Sequence, residues 1–527
     1  MRIQRLLTFI PPMFAALLCA VGTVSAADPP FERCGTPHIL ELMRKGVGKI
    51  ASYRMYQLTN SVVSSAGHFR VHFDSTGGNA PAPTDADFKG IPDYIDSTLA
   101  YLEYAWTLEV CTLGYRSPNG DNGAGGGDEI DVYINNYGTT GMYGVTYPEL
   151  QKDGTWSSFF ILDNDYLESE YSSKGYAALR VTTAHEFFHV IQFSYVFNWN
   201  LIIWWMEQSA TWMEDRAWDD VNDYLAYLDK FFLYSRDYPL DYINGAVVWP
   251  MYLAKRFGDD EIRLIWEAIA AAKNPSISNF DAVIPSGLPV ALNEFGVWNW
   301  FTNDRANPEK FYRDGGLFAY TVGVDLQESV YPARDSLATC YLTSNYIEFL
   351  FVGSWDGNDT FIIDYATGTD RVHTNSLVFY NSPIDNRIHT INRPGESIPF
   401  GKRWDRAVLI TTCVNTAPVS GTFSFAADRT NISAVRWESP AALVFGGAYP
   451  NPFNAAVTIR FTLPKDGRAS VRVYDILGRK AADLFDGDLS AGEKSMLWKP
   501  NNLSNGMYLV RIDTSYGSHT TKVLLLK

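Results

Sequence analysis

The pentapeptide His185-Glu186-Phe187-Phe188-His189 constrains this chain more than any other stretch. Residues four apart share one face of an α-helix, so His185 and His189 can reach a single metal ion if the segment is helical. The flanks, Ala177 to Ala184 and Val190 to Phe193, contain neither glycine nor proline, which suits a buried helix. Glu186 falls about 100° round that helix from His185, at the edge of the same face. There it could hold a metal-bound water. Zinc lowers the pKa of such a water, and a nearby carboxylate can take its proton. His185 and His189 are therefore candidate metal ligands, and Glu186 is the candidate catalytic base.

A hydrolytic zinc site takes three protein ligands and leaves one position open. The metzincin arrangement needs Gly and His three and six residues beyond His189. Gln192 and Tyr195 stand there, which excludes it. A carboxylate from a following helix is the other route. The stretch Trp204-Trp-Met-Glu-Gln-Ser-Ala-Thr-Trp-Met-Glu-Asp215 carries Glu207 and Glu214, seven apart and on one helix face. Geometry alone does not choose between them. In this stretch the sequence resembles the gluzincin metalloproteases, where a Glu precedes small residues and a second Glu follows seven later. The resemblance implies that Glu207 is the zinc ligand. It also implies that Glu214 stands behind the ligands, holding a histidine ring nitrogen.

Tyr242-Ile-Asn-Gly-Ala-Val-Val-Trp249 is similar to the Tyr-x-x-Gly-Ala stretch of gluzincin aminopeptidases. That likeness implies that the Tyr242 hydroxyl stabilises an oxyanion. The aminopeptidases' Gly-x-Met-Glu-Asn motif for the substrate amine is not visible, which favours an endopeptidase. The segment from about 34 to 330 as a whole resembles a family of secreted bacterial proteins described as metalloproteases. That resemblance rests on Ser158-Phe-Phe-Ile-Leu-Asp-Asn-Asp165, the histidine helix and Trp205 to Glu214. A non-catalytic surface adhesin or scaffold with a structural or lost metal site is the competing reading, and an aminopeptidase is a third. A structural zinc site has no need of Glu186 as a base, which argues against the scaffold.

Residues 1–26 read as a secretory signal: Arg2 and Arg5 open it, an apolar run follows, and Val24-Ser25-Ala26 offers a cleavage site. Beyond it no run of about 18 apolar residues exists, so no transmembrane segment is expected in the mature chain. Cys19 leaves with the signal. The remaining Cys34, Cys111, Cys340 and Cys413 enter an oxidising compartment, where two disulfides are expected. Proximity in sequence suggests Cys34 with Cys111 and Cys340 with Cys413. Residues 27 to about 70 have room for a pro-segment, although no latency motif stands out in them. With 43 Lys and Arg against 59 Asp and Glu, the net charge of −16 excludes the basic surface that nucleic-acid binding needs.

Two acidic stretches suggest calcium. Asp85-Ala-Asp-Phe-Lys-Gly-Ile-Pro-Asp-Tyr-Ile-Asp96 places Asp85, Asp87, Asp93 and Asp96 at ligand positions of a twelve-residue loop, with Gly90 at its turn. Lys89 stands where a fifth ligand would be. The loop resembles the Asp-rich repeats of extracellular calcium modules. The glycine-rich stretch Asp121 to Asp131 is a weaker case.

The C-terminal half changes character. Short alternating runs such as Tyr346 to Val352 and Thr360 to Tyr365, separated by Gly, Asn and Asp, predict an antiparallel β-sandwich over 331–437. Residues 438–448 read as a Pro/Gly/Ala linker, and 449–527 alternate again. Tyr449-Pro-Asn-Pro-Phe-Asn454, Val473 to Arg479, Leu503 to Tyr508 and Lys522 to Lys527 resemble, in order, the type A sorting domain of the type IX secretion system. The resemblance implies an immunoglobulin-like fold, the secretion machinery as a partner, and a place outside a Gram-negative-type bacterium or on its surface. The expected architecture is thus multidomain: an α+β zincin-like metalloprotease domain over 27–330, then two β-sandwiches. Zn2+ is the expected cofactor, with Ca2+ beside it, and a protein or peptide is the expected substrate.

Overall fold

The computed structural model describes residues 33–45, 58–195, 202–233, 240, 246–272, 276–352, 358–367, 372–416 and 420–429, and in the C-terminal part 443–449, 453, 456–490, 492–500 and 503–525. The signal segment 1–26 and Tyr242 lie outside them.

The N-terminal unit is built on a five-stranded mixed sheet. Its strands are β1 (Asn60–Val63), β2 (Phe69–Phe73), β3 (Ile130–Asn135), β4 (Gly144–Lys152) and β5 (Thr155–Asp163), in the order β1-β2-β3-β5-β4. β2, β3 and β5 run parallel at the centre, and β4 is an antiparallel edge. β3 is buried from Ile130 to Ile134, as a parallel strand covered on both faces should be.

Each face of this sheet has its own cover. α1 (Thr36–Arg44) lies on one side, where Ile39 joins Tyr133, Val145, Tyr147, Phe159 and Ile161. The other face carries Val132, Ile134, Phe160 and Leu162, the alternate residues of the same strands. It packs against α2 (Asp93–Trp106) and α3 (Gly175–Phe193). α3 is apolar around nearly its whole circumference and buried from Val181 to Phe193. Such a helix can only be central. Phe187 fixes it to the sheet, edge-on to Phe69 with ring centres 5.0 Å apart.

α4 (Ile203–Ala217) packs along α3. A short α5 (Asp229–Leu233), α6 (Val248–Phe257), α7 (Asp260–Ala271) and α8 (Leu288–Trp300) complete the helical layer. Trp205, Trp249, Trp266 and Trp300 are fully buried there.

The next unit pairs a sheet of order β11-β10-β13-β8-β6 with one of order β12-β9-β14-β7. Its strands are β6 (Leu326–Glu328), β7 (Ala333–Cys340), β8 (Ser344–Leu350), β9 (Thr360–Thr367), β10 (His373–Tyr380), β11 (Asn386–Ile391), β12 (Glu396–Pro399), β13 (Arg406–Cys413) and β14 (Ser420–Arg429). Phe349, Phe361, Phe379, Phe423 and Phe425 fill the space between the sheets. β6 pairs with β8, so the sandwich begins before residue 331.

The last unit pairs the sheet β15-β16-β19 with β18-β17-β20-β21. These are β15 (Val444–Tyr449), β16 (Val457–Leu463), β17 (Gly467–Asp475), β18 (Lys480–Leu489), β19 (Gly492–Trp498), β20 (Gly506–Thr514) and β21 (Gly517–Leu525). Of the linker read at 438–448, the part from Val444 is strand. A bulge between Phe445 and Gly447 lets this glycine-containing stretch pair with β16 while Phe445 and Ala448 reach the third core. Among the described residues, no helix is long and apolar enough to cross a membrane.

Candidate metal centre

Helix α3 turns His185 and His189 inward, with ring centres 4.7 Å apart and their Nε2 atoms 3.0 Å apart. Glu207 reaches them from α4: its Oε1 lies 3.2 Å from His189 Nε2, and its Oε2 3.7 Å from His185 Nε2. Glu207 is buried, and Oε1 makes no hydrogen bond.

A fourth group completes the cluster, and the reading of the sequence missed it. Cys34 Sγ lies 3.3 Å from His189 Nε2. Ligand atoms of Cys34, His185, His189 and Glu207 all fall within 4.8 Å of one another, and all four residues are buried. Two imidazole nitrogens, a carboxylate oxygen and a sulfur are a donor set that suits zinc.

The outward ring nitrogens are both held. Glu214 Oε1 is 2.6 Å from His185 Nδ1, and Gln192 Oε1 is 2.7 Å from His189 Nδ1. Gln192 is fixed in turn, since its Nε2 donates to Met206 O and Ser209 Oγ. Partners of this kind orient ligating histidines. Burial alone would lower the His185 imidazole, but Glu207 and Glu214 outweigh it and hold the ring at about 10. Burial would raise the Glu207 carboxyl, but His189 and His185 pull it down to about 2. Burial, and then the Glu186 and Glu207 charges, push the Cys34 thiol up. Without a cation the sulfur stays protonated.

Glu186 lies beside the cluster, against the edge strand. Thr146 Oγ1 donates to its Oε2 at 2.6 Å, and Thr36 Oγ1 lies 3.5 Å from the same oxygen. The close fit depends on Gly144, where a Cβ would come within 2.7 Å of Glu186 Cγ. A second group escaped the sequence reading: the Tyr137 hydroxyl is buried with no hydrogen-bond partner. Burial, then Tyr147 and Glu186 nearby, push that phenol up.

The other expected residues do not converge. No three of Asp85, Asp87, Asp93 and Asp96 come within 4.8 Å of one another. Their oxygens serve the loop itself: Asp85 accepts from Lys89 N and Gly90 N, Asp93 from Ala86 N, and Asp87 pairs with Lys89 Nζ at 2.6 Å. The cation of Lys89 occupies the place where a ligand was needed. The cysteine pairing is also corrected. Cys34 and Cys111 are free thiols, one buried in the metal cluster and the other exposed on the π-helical turn after α2. Cys413 Sγ lies 3.4 Å from Asn415 Oδ1. The suggested pairing of Cys34 with Cys111 is not formed.

Residues 447–526 match the family described as "Secretion system C-terminal sorting domain". The protein is secreted or displayed at the cell surface. The domain implies contact with the type IX secretion machinery. No curated protein matches the chain. Among solved structures, PorZ, a surface component of the type-IX secretion system of Porphyromonas gingivalis, is 22% identical over 21% of this chain and 14% of its own, with a TM-score of 0.13. The glycoside hydrolase domain of Endo-D from Streptococcus pneumoniae R6 is 10% identical, covering 36% of this chain and 31% of its own, with a TM-score of 0.12. The extracellular region of zebrafish Gpr126/Adgrg6 is 10% identical, covering 37% and 30%, with a TM-score of 0.13. The chain thus spans less than a third of each. Likeness this slight carries no argument about the metal centre.

Proposed function

We propose that this protein is a secreted zinc-dependent endopeptidase. One observation carries the reading: His185, His189 and Glu207 converge, and Glu186 stands one residue along the same helix. Buried Glu207 Oε1 makes no hydrogen bond and lies 3.2 Å from His189 Nε2, so a cation between the two would serve both. When bound, zinc would acidify a water and polarise a peptide carbonyl. Glu186 would take the proton of that water and pass it to the leaving amine. Thr146 would hold the Glu186 carboxylate in place through its 2.6 Å hydrogen bond. Glu214 and Gln192 would keep both rings in the tautomer that turns Nε2 inward. The backbone groups of β4 beside Glu186 are held by residues 33–36, since Gly144 O accepts from Gly35 N and Thr146 N donates to Thr36 Oγ1.

A second reading has an observation of its own. With Cys34 the cluster has four protein donors, the composition of a closed structural zinc site. That arrangement would serve an adhesin or scaffold. Hydrolysis of casein and of internally quenched peptides, measured with metal content on the purified chain and on Glu186→Gln, separates the two. The peptidase reading expects bound zinc in both and a loss of hydrolysis of at least about a hundredfold in the variant, the scale of a lost general base. Bound zinc with no turnover dependent on Glu186 would leave the scaffold. Cleavage confined to substrates with a free amino terminus would mean an aminopeptidase instead.

A further inference from the structure

The segment that delivers Cys34 is anchored with unusual thoroughness. Arg33, Cys34 and Gly35 run along the free edge of β4: Tyr143 N donates to Arg33 O at 2.8 Å, and Gly35 N donates to Gly144 O at 2.9 Å. Gly35 has no room for a side chain, since a Cβ would lie 2.6 Å from Met142 Sδ and 2.9 Å from Val145 Cβ. Arg33 reaches inward to pair with Glu214 at 2.6 Å and Asp223 at 3.2 Å, its guanidinium over the Tyr143 ring. Thr36 Oγ1 accepts from Thr146 N and faces Glu186. The chain then crosses to the opposite face of the sheet, where α1 packs through Ile39. One short segment thereby covers the sulfur-bearing corner of the cluster, the catalytic carboxylate and the edge of β4.

We infer that Arg33–Arg44 is a built-in inhibitory segment, with Cys34 as a fourth, displaceable metal ligand that keeps the site closed. The inference rests on the zinc peptidase reading. It accounts for two facts at once: a site with Glu186 beside it nevertheless has four protein donors, and a buried cysteine in a secreted chain stays unpaired. Opening would release only Cys34: its sulfur would leave the metal as thiolate and take one proton from solvent, and no electrons would change hands. Glu214 links the two halves of the device, because its carboxylate holds both the His185 ring and Arg33.

The test uses the full chain loaded with cobalt(II) in place of zinc. Ligand-field absorption reports that the metal is bound, and a sulfur-to-cobalt charge-transfer band reports whether Cys34 ligates it. The expected result is both signals in the native chain. Cys34→Ser should lose the charge-transfer band and keep the ligand-field bands. Arg33→Ala, which leaves the thiol in place, should weaken the charge-transfer band. In the zinc forms of both variants, peptide hydrolysis should rise about tenfold or more, as the closed fraction is lost. Ligand-field bands without a charge-transfer band in the native chain would overturn the inference and leave the metal site standing. Failure to bind cobalt at all would overturn the metal reading and this inference with it. A charge-transfer band with no gain in hydrolysis in Arg33→Ala would make Cys34 a structural ligand and end the inhibitory role.

Discussion

Glu214 serves two neighbours at once, and its loss should be felt at both. It holds His185 Nδ1 at 2.6 Å and forms a buried ion pair with Arg33 at the same distance. Glu214→Gln keeps the size and removes the charge. Metal affinity should fall about 10- to 100-fold, as for other partners of ligating histidines, read by competition with a chromophoric chelator. The histidine pair could be picked out from its spacing of four, because helix geometry dictates which side chains meet. The same geometry left Glu207 and Glu214 equal, and only the resemblance to gluzincins separated them. Cys34 could not be picked out, since the default for a cysteine in a secreted chain is a disulfide. The signal available was the neighbour: Gly35 sits where only glycine fits. Glu109 was equally invisible. It is fully buried, neither carboxylate oxygen has a partner, and burial pushes its pKa well up. The sign follows from that direction. An acid whose folded pKa is raised costs nothing below its unfolded pKa of about 4.3, and costs progressively more stability as pH rises above it. Glu109→Met should therefore stabilise the protein at pH 7 by about 1–3 kcal/mol, the cost of an unsatisfied buried group. The gain should shrink at pH 4, and denaturant unfolding at the two pH values measures it.

At the scale of elements, the decisive approach is between α3 and the start of β4. Gly144 lets the strand backbone lie against the Glu186 side chain, and a Cβ there would sit 2.7 Å from Cγ and 2.8 Å from Oε1. Gly144→Ala should displace the carboxylate without touching the metal donors. Peptide hydrolysis should then fall about a hundredfold, the cost of a misplacement near 1 Å, with zinc content unchanged by metal analysis. Alternation of apolar and polar residues made the β-rich C-terminal half readable, since each strand shows one face to a core. The linker expected at 438–448 becomes strand from Val444, because glycines that look like loop include one that a bulge uses to stay in register. The calcium-like loop failed for a related reason. Spacing names the carboxylates but not their partners, and here the partners are the loop's own N–H groups and Lys89.

At the scale of the molecule, the two β-sandwiches stand in different relations to the N-terminal unit. The middle one is fused to it through α8. Asn293 Nδ2 donates to Thr374 O, Ile410 O and Thr412 Oγ1, and its Oδ1 accepts from Ser376 Oγ. Tyr346 donates to Gly296 O, while Tyr346, Val378 and Ile410 belong to the same core as α8 rather than to the core between the sandwich sheets. The last sandwich has its own core of Val457, Ile459, Phe461, Val471, Val510 and Trp498. Sequence alternation shows that both are β units, but the fusion depends on which outward residues meet α8, and no spacing encodes that. Two truncations should consequently behave differently. Removing residues 443–527 should abolish export, because the sorting domain goes with them, yet leave the denaturation midpoint of the remaining protein unchanged. Ending the chain at residue 325 should expose the apolar face of α8 and leave Asn293 without its partners, giving aggregated or unfolded protein. Asn293→Ala in the full chain isolates the polar part of that junction and should cost about 1–3 kcal/mol in denaturant unfolding. An unchanged midpoint in Asn293→Ala, together with a soluble, folded product ending at 325, would show the middle sandwich to be an appendage rather than part of the N-terminal unit.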